Sequence, residues 1–413
     1  MINYKVREEK KGAFYFDRLA GKAERLDEKQ YNELKHNPDY INNPEWQFIK
    51  SNNRANLPGD CLSAPARIYF ELTRKCNLGC KACFNESSQP LKDELSTKEV
   101  FGILDQLVQL GTFEIRFTGG EPTTREDFFE IINYAEDLGF YISMGTNGVY
   151  GDDKFDKIIN SGVKWFIVSL EGSEKANDFI RGKGSYKKTI KTLKELHKKK
   201  KRIRINAVIG KYNQLELEFL AKFASSVEAD SLNLIPLRPY GRAAKLLSDQ
   251  MLTRKEFYEM VKKIKVLREK YNLKIVTTID LLQKDNLIKQ DDIVKKERTC
   301  AAGVEGSVIS PVGDMYGCSY SPASDESDSD KEGKEIFVAG NLRKRKLADL
   351  WFDSKRWTVF RDLKKYKNEK CHSCKHYMHE CVGSCPIMSY YADKTLDGFD
   401  PYCFKDLMAG ETE

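Results

Sequence analysis

The strongest constraint on the fold is a regular alternation of two periods between Arg67 and Leu237. Strand-like runs at 67–73, 113–118, 140–145, 164–170, 203–209 and 231–237 alternate with helical patterns at about 96–110, 125–138, 153–161, 185–199 and 214–226. Strands joined through helices pair in parallel, so six of them predict an α/β fold whose sheet curls into part of a TIM-like barrel. Ser96 followed by Glu99 has capping-box spacing and marks the first helix start. In such barrels chemistry gathers at the C-terminal ends of the strands, so the segments just after them are where a site belongs.

The first strand runs into Cys76-x3-Cys80-x2-Cys83. Three thiolates at this spacing can hold three irons of a cubane, and full ligation of a [4Fe–4S] cluster takes four. The fourth iron is then a place for a small molecule. A zinc knuckle is the bland alternative, but it wants four N or S donors and no His lies close by. The second strand ends in Thr118-Gly119-Gly120-Glu121-Pro122. Adjacent glycines allow a close backbone approach, and Glu121 adds an acceptor for an ammonium group. Alone, such a run is also an ordinary turn.

Together these two motifs resemble the radical S-adenosylmethionine (SAM) superfamily, over roughly residues 65 to 240. The resemblance implies that SAM chelates the open iron through its amine and carboxylate, with the Gly-Gly-Glu loop on the amine. Reductive cleavage then yields methionine and a 5′-deoxyadenosyl radical. Further SAM contacts are implied at the other strand ends. These are Asn147 in a Thr-Asn-Gly turn, Ser169 and Glu171 at the ribose, and Asn206 on the fifth strand. Arg181 is a candidate for the SAM carboxylate, with a plain surface arginine as the alternative. The family often carries an aromatic just before the third cysteine; here Ala82 stands there and Phe84 follows the triad.

Beyond Leu237, RPYGRA (238–243) opens a charged helical segment at about 253–271. Then come Cys300-x12-Gly313-x4-Cys318, an acidic stretch at 324–335, Cys371-x2-Cys374-x6-Cys381-x3-Cys385, and Cys403. This layout resembles the SPASM extension of radical SAM enzymes, which implies two auxiliary [4Fe–4S] clusters and so three in all. By that pattern Cys371, Cys374, Cys381 and Cys403 hold the outer cluster, and Cys300, Cys318 and Cys385 the inner one. A zinc ribbon is the competing reading, since Cys-x2-Cys pairs are common zinc ligands. The inner set is one ligand short. Either Cys61 supplies it, or the iron is open, or a substrate thiolate completes it; otherwise Cys61 is an unliganded thiol in a linker. His372, His376 and His379 read as neighbours of the thiols rather than ligands. Sulfatase-maturing relatives carry an Asp beside the cysteine equivalent to Cys318, and Ser319 here argues against that activity.

A chain of 413 residues has room for two or three domains. The expected division is an N-terminal segment at 1–60, the barrel at 65–240, a helical bridge at 241–299 and the auxiliary-cluster domain at 300–413. In the N-terminal segment, alternation at 2–8 and 13–18 reads as two strands joined through Lys10-Lys11-Gly12, with a helix from about Asp27. This resembles the opening hairpin of leader-binding modules in peptide-modifying radical SAM enzymes, shortened; a simple cap on the barrel is the alternative. An exposed strand edge suits an extended peptide.

No run of 18 apolar residues is present and the N-terminus has no apolar signal core, so a cytoplasmic protein without a membrane span is expected. Eleven cysteines, all but Cys61 clumped in two regions, suit metal sites better than disulfides in such a compartment. The net charge of +7 is mild, and nucleic acid is not an expected partner. The run HKKKKRIR (197–204) reads as a solvated helix end, with a basic patch as the sharper alternative.

The resemblance therefore implies an oxidoreductase that abstracts hydrogen from a ribosomally made precursor peptide, fed by a flavodoxin- or ferredoxin-type donor. An intrapeptide crosslink, thioether above all, suits an inner iron open to a substrate Cys. Epimerisation with Cys61 as hydrogen donor is the runner-up, and oxidation of a small cofactor precursor stays within the same chemistry. From a different class, a zinc-stabilised peptide-binding module stands beside these.

Overall fold

The computed structural model describes residues 2–51, 57–58, 61–278, 300–321, 331–366, 368–377, 381 and 383–409. Strands β1 (Tyr4–Glu8), β2 (Ala13–Asp17) and β3 (Lys22–Leu26) form an antiparallel meander. Helices α1 (Glu28–Lys35) and α2 (Pro38–Ile41) follow, then β4 (Trp46–Ile49) returns parallel to β1. The expected hairpin and helix are present, and Asp27 with Gln30 closes a capping box at the helix start. Strands β3 and β4 go beyond the expectation. KAERL has too few apolar residues to show alternation, and WQFI is hidden in a polar run.

This small sheet sits under the N-terminal ends of the barrel strands. Phe14 and Phe16 stack on Phe113 with ring centroids 5.8 and 5.5 Å apart. Arg7, fully buried, gives its guanidinium to the carbonyls of Gly111 (2.8 Å) and Ala64 (2.7 Å) and to Glu9.

Among the described residues the second sheet has ten strands. Its centre is the parallel set β5 (Arg67–Thr73), β6 (Glu114–Gly119), β7 (Tyr141–Thr146), β8 (Trp165–Ser169), β9 (Arg202–Ile209) and β10 (Ser231–Pro236). Between them run α3 (Thr97–Gln109), α4 (Phe128–Asp137), α5 (Asp152–Ile159), α6 (Glu174–Arg181), α7 (Ser185–Lys198) and α8 (Leu217–Ser226). Only α6 has no counterpart in the sequence-based expectation. Ser96 and Glu99 cap α3 as their spacing predicts. The basic run straddles the end of α7 and the start of β9.

One face of these strands is apolar. Ile68, Phe70, Ile115, Phe117, Met144, Phe166, Val168, Ile203 and Ile205 join a core with the helix residues Ile103, Leu104, Ile131, Ile132, Leu193 and Leu220. Strand side chains alternate, so the opposite face carries Arg67, Tyr69, Glu114, Arg116, Ser143, Trp165, Arg202 and Arg204. That face lines the barrel interior, and it is polar.

At one edge the short β11 (Ile275–Val276) pairs with β10 after α9 (Arg242–Leu246) and α10 (Arg254–Tyr271). At the other edge the C-terminal region enters the same sheet. There β12 (Gly306–Ile309) runs parallel to β5, and β13 (Asp314–Tyr316) and β14 (Val338–Asn341) follow antiparallel. Among the described residues the edges β11 and β14 do not meet, so the sheet is open. The last part of the bridge (279–299) and residues 324–330 of the acidic stretch lie outside the described residues. Residues 331–337 of that neighbourhood form a helix.

Candidate active site

The cysteine loop leaves the C-terminal end of β5 and is held by three neighbours. Backbone amides of Gly120 and Glu121 donate to the carbonyls of Thr73 (2.7 Å) and Lys75 (2.9 Å). A Cβ on Gly119 or Gly120 would collide with those same carbonyls, and Gly119 has φ of +130°. The glycine pair thus lets the end of β6 lie directly on the chain leading into Cys76. On the other side Arg242 donates to the carbonyls of Cys80 (2.8 Å) and Ser87 (3.0 Å), and its amide donates to Cys83 (3.0 Å).

Glu121 is completely buried, and burial pushes its carboxyl up. Opposing that, Oε1 accepts from Thr123 Oγ1 (2.8 Å), and Oε2 from Thr146 Oγ1 and the Asn147 amide (both 2.9 Å). Glu121 therefore ties the ends of β6 and β7 together. Asn147 extends the tie to the cysteine loop, donating to Asn77 Oδ1 at 2.7 Å with Cys76 Sγ at 3.9 Å. Thr118 packs beside Gly145 of the neighbouring strand.

A second network comes from β8, α6 and β9. Glu171 is buried, accepts from Arg181 Nε (2.8 Å) and Nη2 (2.6 Å) on one oxygen, and from the Val208 amide (2.7 Å) on the other. Arg181 Nη1 lies 4.0 Å from Cys80 Sγ. Ser169, the last residue of β8, and Asn206, in the middle of β9, are register partners. Asn206 Oδ1 is buried without a hydrogen-bond partner among the described residues, an acceptor in want of a donor.

The thiols fall into groups. Cys76, Cys80 and Cys83 share one partly exposed loop at the barrel mouth, and every described cysteine is outside any disulfide. Burial raises the Cys76 thiol to about 11 and also raises Cys80, where Arg181 pulls the other way. Cys371, Cys374, Cys381 and Cys403 line one cavity, with His376 at its wall. Cys318 has Cys385 and Cys300 as its thiol neighbours, and burial pushes it up to about 12. His372 packs edge-on against Tyr377, while His379 lies outside the described residues. Among the described residues no three His, Cys, Asp or Glu side chains converge as one ion requires, whereas a cubane spreads one thiolate over each iron.

Cys61 is elsewhere. It is 6% exposed within the main apolar core, its Sγ facing the carbonyls of Leu62 (3.7 Å) and Gly303 (3.8 Å). Its neighbour Arg7 marks the N-terminal end of the barrel, opposite the cysteine loop.

Two family models match the chain: the Radical SAM superfamily over residues 70–224, and SPASM, an iron-sulfur cluster-binding domain, over residues 300–375. The mycofactocin maturase MftC of Mycobacterium tuberculosis is 30% identical over 348 residues, 83% of this chain and 83% of its own length. The chain belongs to the radical SAM/SPASM family. An AdoMet-dependent heme synthase of Methanosarcina barkeri is 27% identical over 358 residues, covering 83% of this chain and 97% of its own. The crystal structure of Streptococcus suis SuiB bound to precursor peptide SuiA aligns with a TM-score of 0.72 at 19% identity. It covers 96% of this chain and 97% of that one, a likeness of fold.

This radical SAM/SPASM enzyme accordingly has a partial α/β barrel with a C-terminal SPASM domain, and its family binds SAM and iron–sulfur clusters. The residues present fit those groups. Soft thiols stand in sets of three and four, and Asn206, paired with the last residue of β8, carries an unsatisfied acceptor. No described helix is long and apolar enough to cross a membrane.

Several site neighbours were not read from the sequence. Arg242 and Gly241 clamp the cysteine loop; Tyr320 meets Phe84 edge-on at 5.0 Å; Arg238 lies 5.0 Å from the Tyr320 ring centre. The polar barrel interior was legible in principle, because RIYFELT, EIRFTG and RIRINAVI carry polar or charged residues at alternate positions.

Proposed function

We propose that this radical SAM/SPASM enzyme modifies a ribosomally made precursor peptide, closing an intrapeptide crosslink, with a thioether favoured. When bound, SAM and the cluster at Cys76, Cys80 and Cys83 supply a 5′-deoxyadenosyl radical on reduction. The chain's own residues position and shield. Glu121 and Asn147 hold the cysteine loop against β6 and β7, and Glu171 holds Arg181 beside Cys80. Ser169 and Asn206 offer polar atoms to the SAM ribose and adenosine side.

The observation that carries the crosslink reading is the inner thiol set. Cys300, Cys318 and Cys385 stand together as three, one fewer than a four-iron cluster takes. A substrate Cys is the natural fourth donor, and it is also one end of a thioether. The outer set of Cys371, Cys374, Cys381 and Cys403 supports a second auxiliary cluster, three in all with the SAM-binding one. Epimerisation with Cys61 as hydrogen donor draws no support from a thiol shut in the core at the far end of the barrel.

The N-terminal sheet supports the peptide reading. Among the described residues strand β3 is an edge, which suits the addition of an extended leader strand. We read 1–60 as that docking module, 65–240 as the partial (β/α)6 barrel, 241–299 as a bridge and 300–413 as the auxiliary-cluster domain. A flavodoxin- or ferredoxin-type protein is the proposed electron donor. A second reading, oxidation of a small cofactor precursor, is favoured by the likeness to an AdoMet-dependent heme synthase.

The test is anaerobic purification followed by assay with a peptide encoded beside the gene. Iron and sulfide must be present, dithionite must release 5′-deoxyadenosine, and the peptide must become lighter by a pair of hydrogens. A colourless zinc protein sinks the enzyme reading. An unchanged peptide mass with an inverted residue replaces crosslinking by epimerisation.

A further inference from the structure

The barrel interior holds a cation without a counter-charge. Glu114 accepts from Arg67 Nε (2.6 Å) on one oxygen, and from Arg116 Nη2 (2.9 Å) and Ser143 Oγ (2.6 Å) on the other. Both oxygens are committed. Arg116 spends its remaining donors on Ser143 and on Tyr69 Oη. The other acid on this face, Glu71, is engaged by Arg74 at 3.5 Å.

Arg204, on the same face of β9, is left over. Its Nε is buried with no hydrogen-bond partner among the described residues. Its charged neighbours are Arg116 and Arg67, which repel it, and the polar ends of Tyr69 and Tyr320 also face it. Burial, then that repulsion, pulls Arg204 down to about 10. Arg204 is half-buried, and a guanidinium held beside like charges with its Nε unsatisfied is unfavourable in the free enzyme until an anion arrives.

The position says whose anion. Arg204 lies two residues before Asn206 on the same strand face, about 7 Å deeper in the barrel at strand rise. Tyr320 leans in from the SPASM side, against Phe84 of the cysteine loop. A molecule lying between the SAM end of β9 and the SPASM loop thus passes over Arg204. A planar fork of donors matches a carboxylate in two-point fashion.

We propose that Arg204 anchors a carboxylate of the substrate, either the free C-terminus of the peptide or an internal Asp or Glu side chain. This rests on the peptide reading above and adds the substrate group that the barrel recognises.

The test uses the reconstituted holoenzyme with SAM bound, under anaerobic calorimetry, with three probes: N-acetylalanylphenylalanine, its C-terminal amide, and N-acetylalanylglutamylphenylalanine amide. At least one acid should bind about tenfold or more tighter than the neutral amide, a difference of about 1.4 kcal/mol. Which acid wins assigns the source: the chain terminus or a side chain. Arg204→Gln should erase the discrimination and Arg204→Lys should keep part of it. Because Arg204→Gln removes a charge held beside two like charges, its urea midpoint should equal or exceed the wild type; a merely structural arginine would lower it.

Equal binding of all three probes by the wild type overturns the assignment, as does discrimination that survives in Arg204→Gln. Release of 5′-deoxyadenosine by the wild type is a separate readout. An enzyme that cleaves SAM but binds acid and amide alike loses only this inference. One that discriminates without cleaving SAM loses the radical reading and keeps the anchor.

Discussion

Glu171 receives Arg181 Nε and Nη2 on a single carboxylate oxygen, at 2.8 and 2.6 Å, and gives its other oxygen to the Val208 amide. One buried carboxylate thereby joins the end of β8 to helix α6 and to strand β9. Through Arg181 it also reaches the cysteine loop, since Nη1 lies 4.0 Å from Cys80 Sγ and the Lys81 amide donates to Ile180 at 2.9 Å. The burial that would drive Arg181 toward neutrality is overcome by Glu171, which holds the guanidinium charged.

Glu171→Ala should therefore cost more than one hydrogen bond. It strands a buried guanidinium, and breaking such a pair typically costs about 3–5 kcal/mol. Urea unfolding under anaerobic conditions reads the loss, and Glu171→Asp should recover part of it. A variant within experimental error of the wild type would show that Arg181 has another partner.

Replacing Cys76, Cys80 and Cys83 together by Ala should abolish 5′-deoxyadenosine release. On the proposal of three four-iron clusters, iron content should fall by roughly a third, with the SPASM thiols untouched. Iron analysis and anaerobic chromatography of the reaction check both halves. Complete loss of iron would mean that the clusters assemble as one unit.

Glu121→Ala should weaken SAM binding by about tenfold or more. The cause is indirect: Thr146 Oγ1 and the Asn147 amide lose their acceptor, and each buried unsatisfied donor costs about 1–3 kcal/mol. Glu121→Gln keeps an acceptor oxygen and should lose less. Equilibrium dialysis with labelled SAM measures the two; equal affinities in both variants and wild type would take Glu121 out of the site.

Much of this could be read before any fold was known, and the reason differs from element to element. The six parallel strands showed because one face of each is Ile, Phe, Val or Leu packed under helices, as at Ile68 and Phe70 or Ile203 and Ile205. The cysteine sets showed because ligands of one cluster come from short local spacings. What stayed hidden depends on closure in space. Glu121 reads as a ligand residue in sequence, yet its oxygens meet Thr146 and Asn147, which are 25 and 26 residues away. The pairing of β12 with β5 joins Gly306 to Arg67, which no local pattern encodes. In sequence Cys61 reads as an inner-cluster ligand or a thiol in a linker; only the packing of Trp351, whose indole donates to Leu62 at 3.0 Å, shows that stretch to be interior.

Cys61→Ala should leave iron content and the low-temperature spectrum of the proposed inner cluster unchanged. Its Sγ faces two backbone carbonyls in the core, so the loss is one of packing, about 1 kcal/mol, visible as a small fall in Tm. A changed cluster spectrum would instead make Cys61 the fourth inner ligand.

Acid should find the barrel interior through Glu114. Burial alone would raise its carboxyl, but Arg67 and Arg116 beside it overcome that and hold it down at about 2. The unfolded chain protonates an ordinary glutamate near about 4.3. A folded-state value below the unfolded one means that the contribution is complete above about 4.3 and is lost as pH falls towards about 2. The amount is about 3 kcal/mol for a shift of this size. Urea unfolding of the cluster-free chain, which avoids the acid lability of the clusters, should show wild type exceeding Glu114→Gln by about that much at pH 7. The gap should narrow steadily below about pH 4.3. A gap that stays constant from neutral pH into acid would mean that Glu114 carries no charge in the fold, and that its two arginines are balanced by something else.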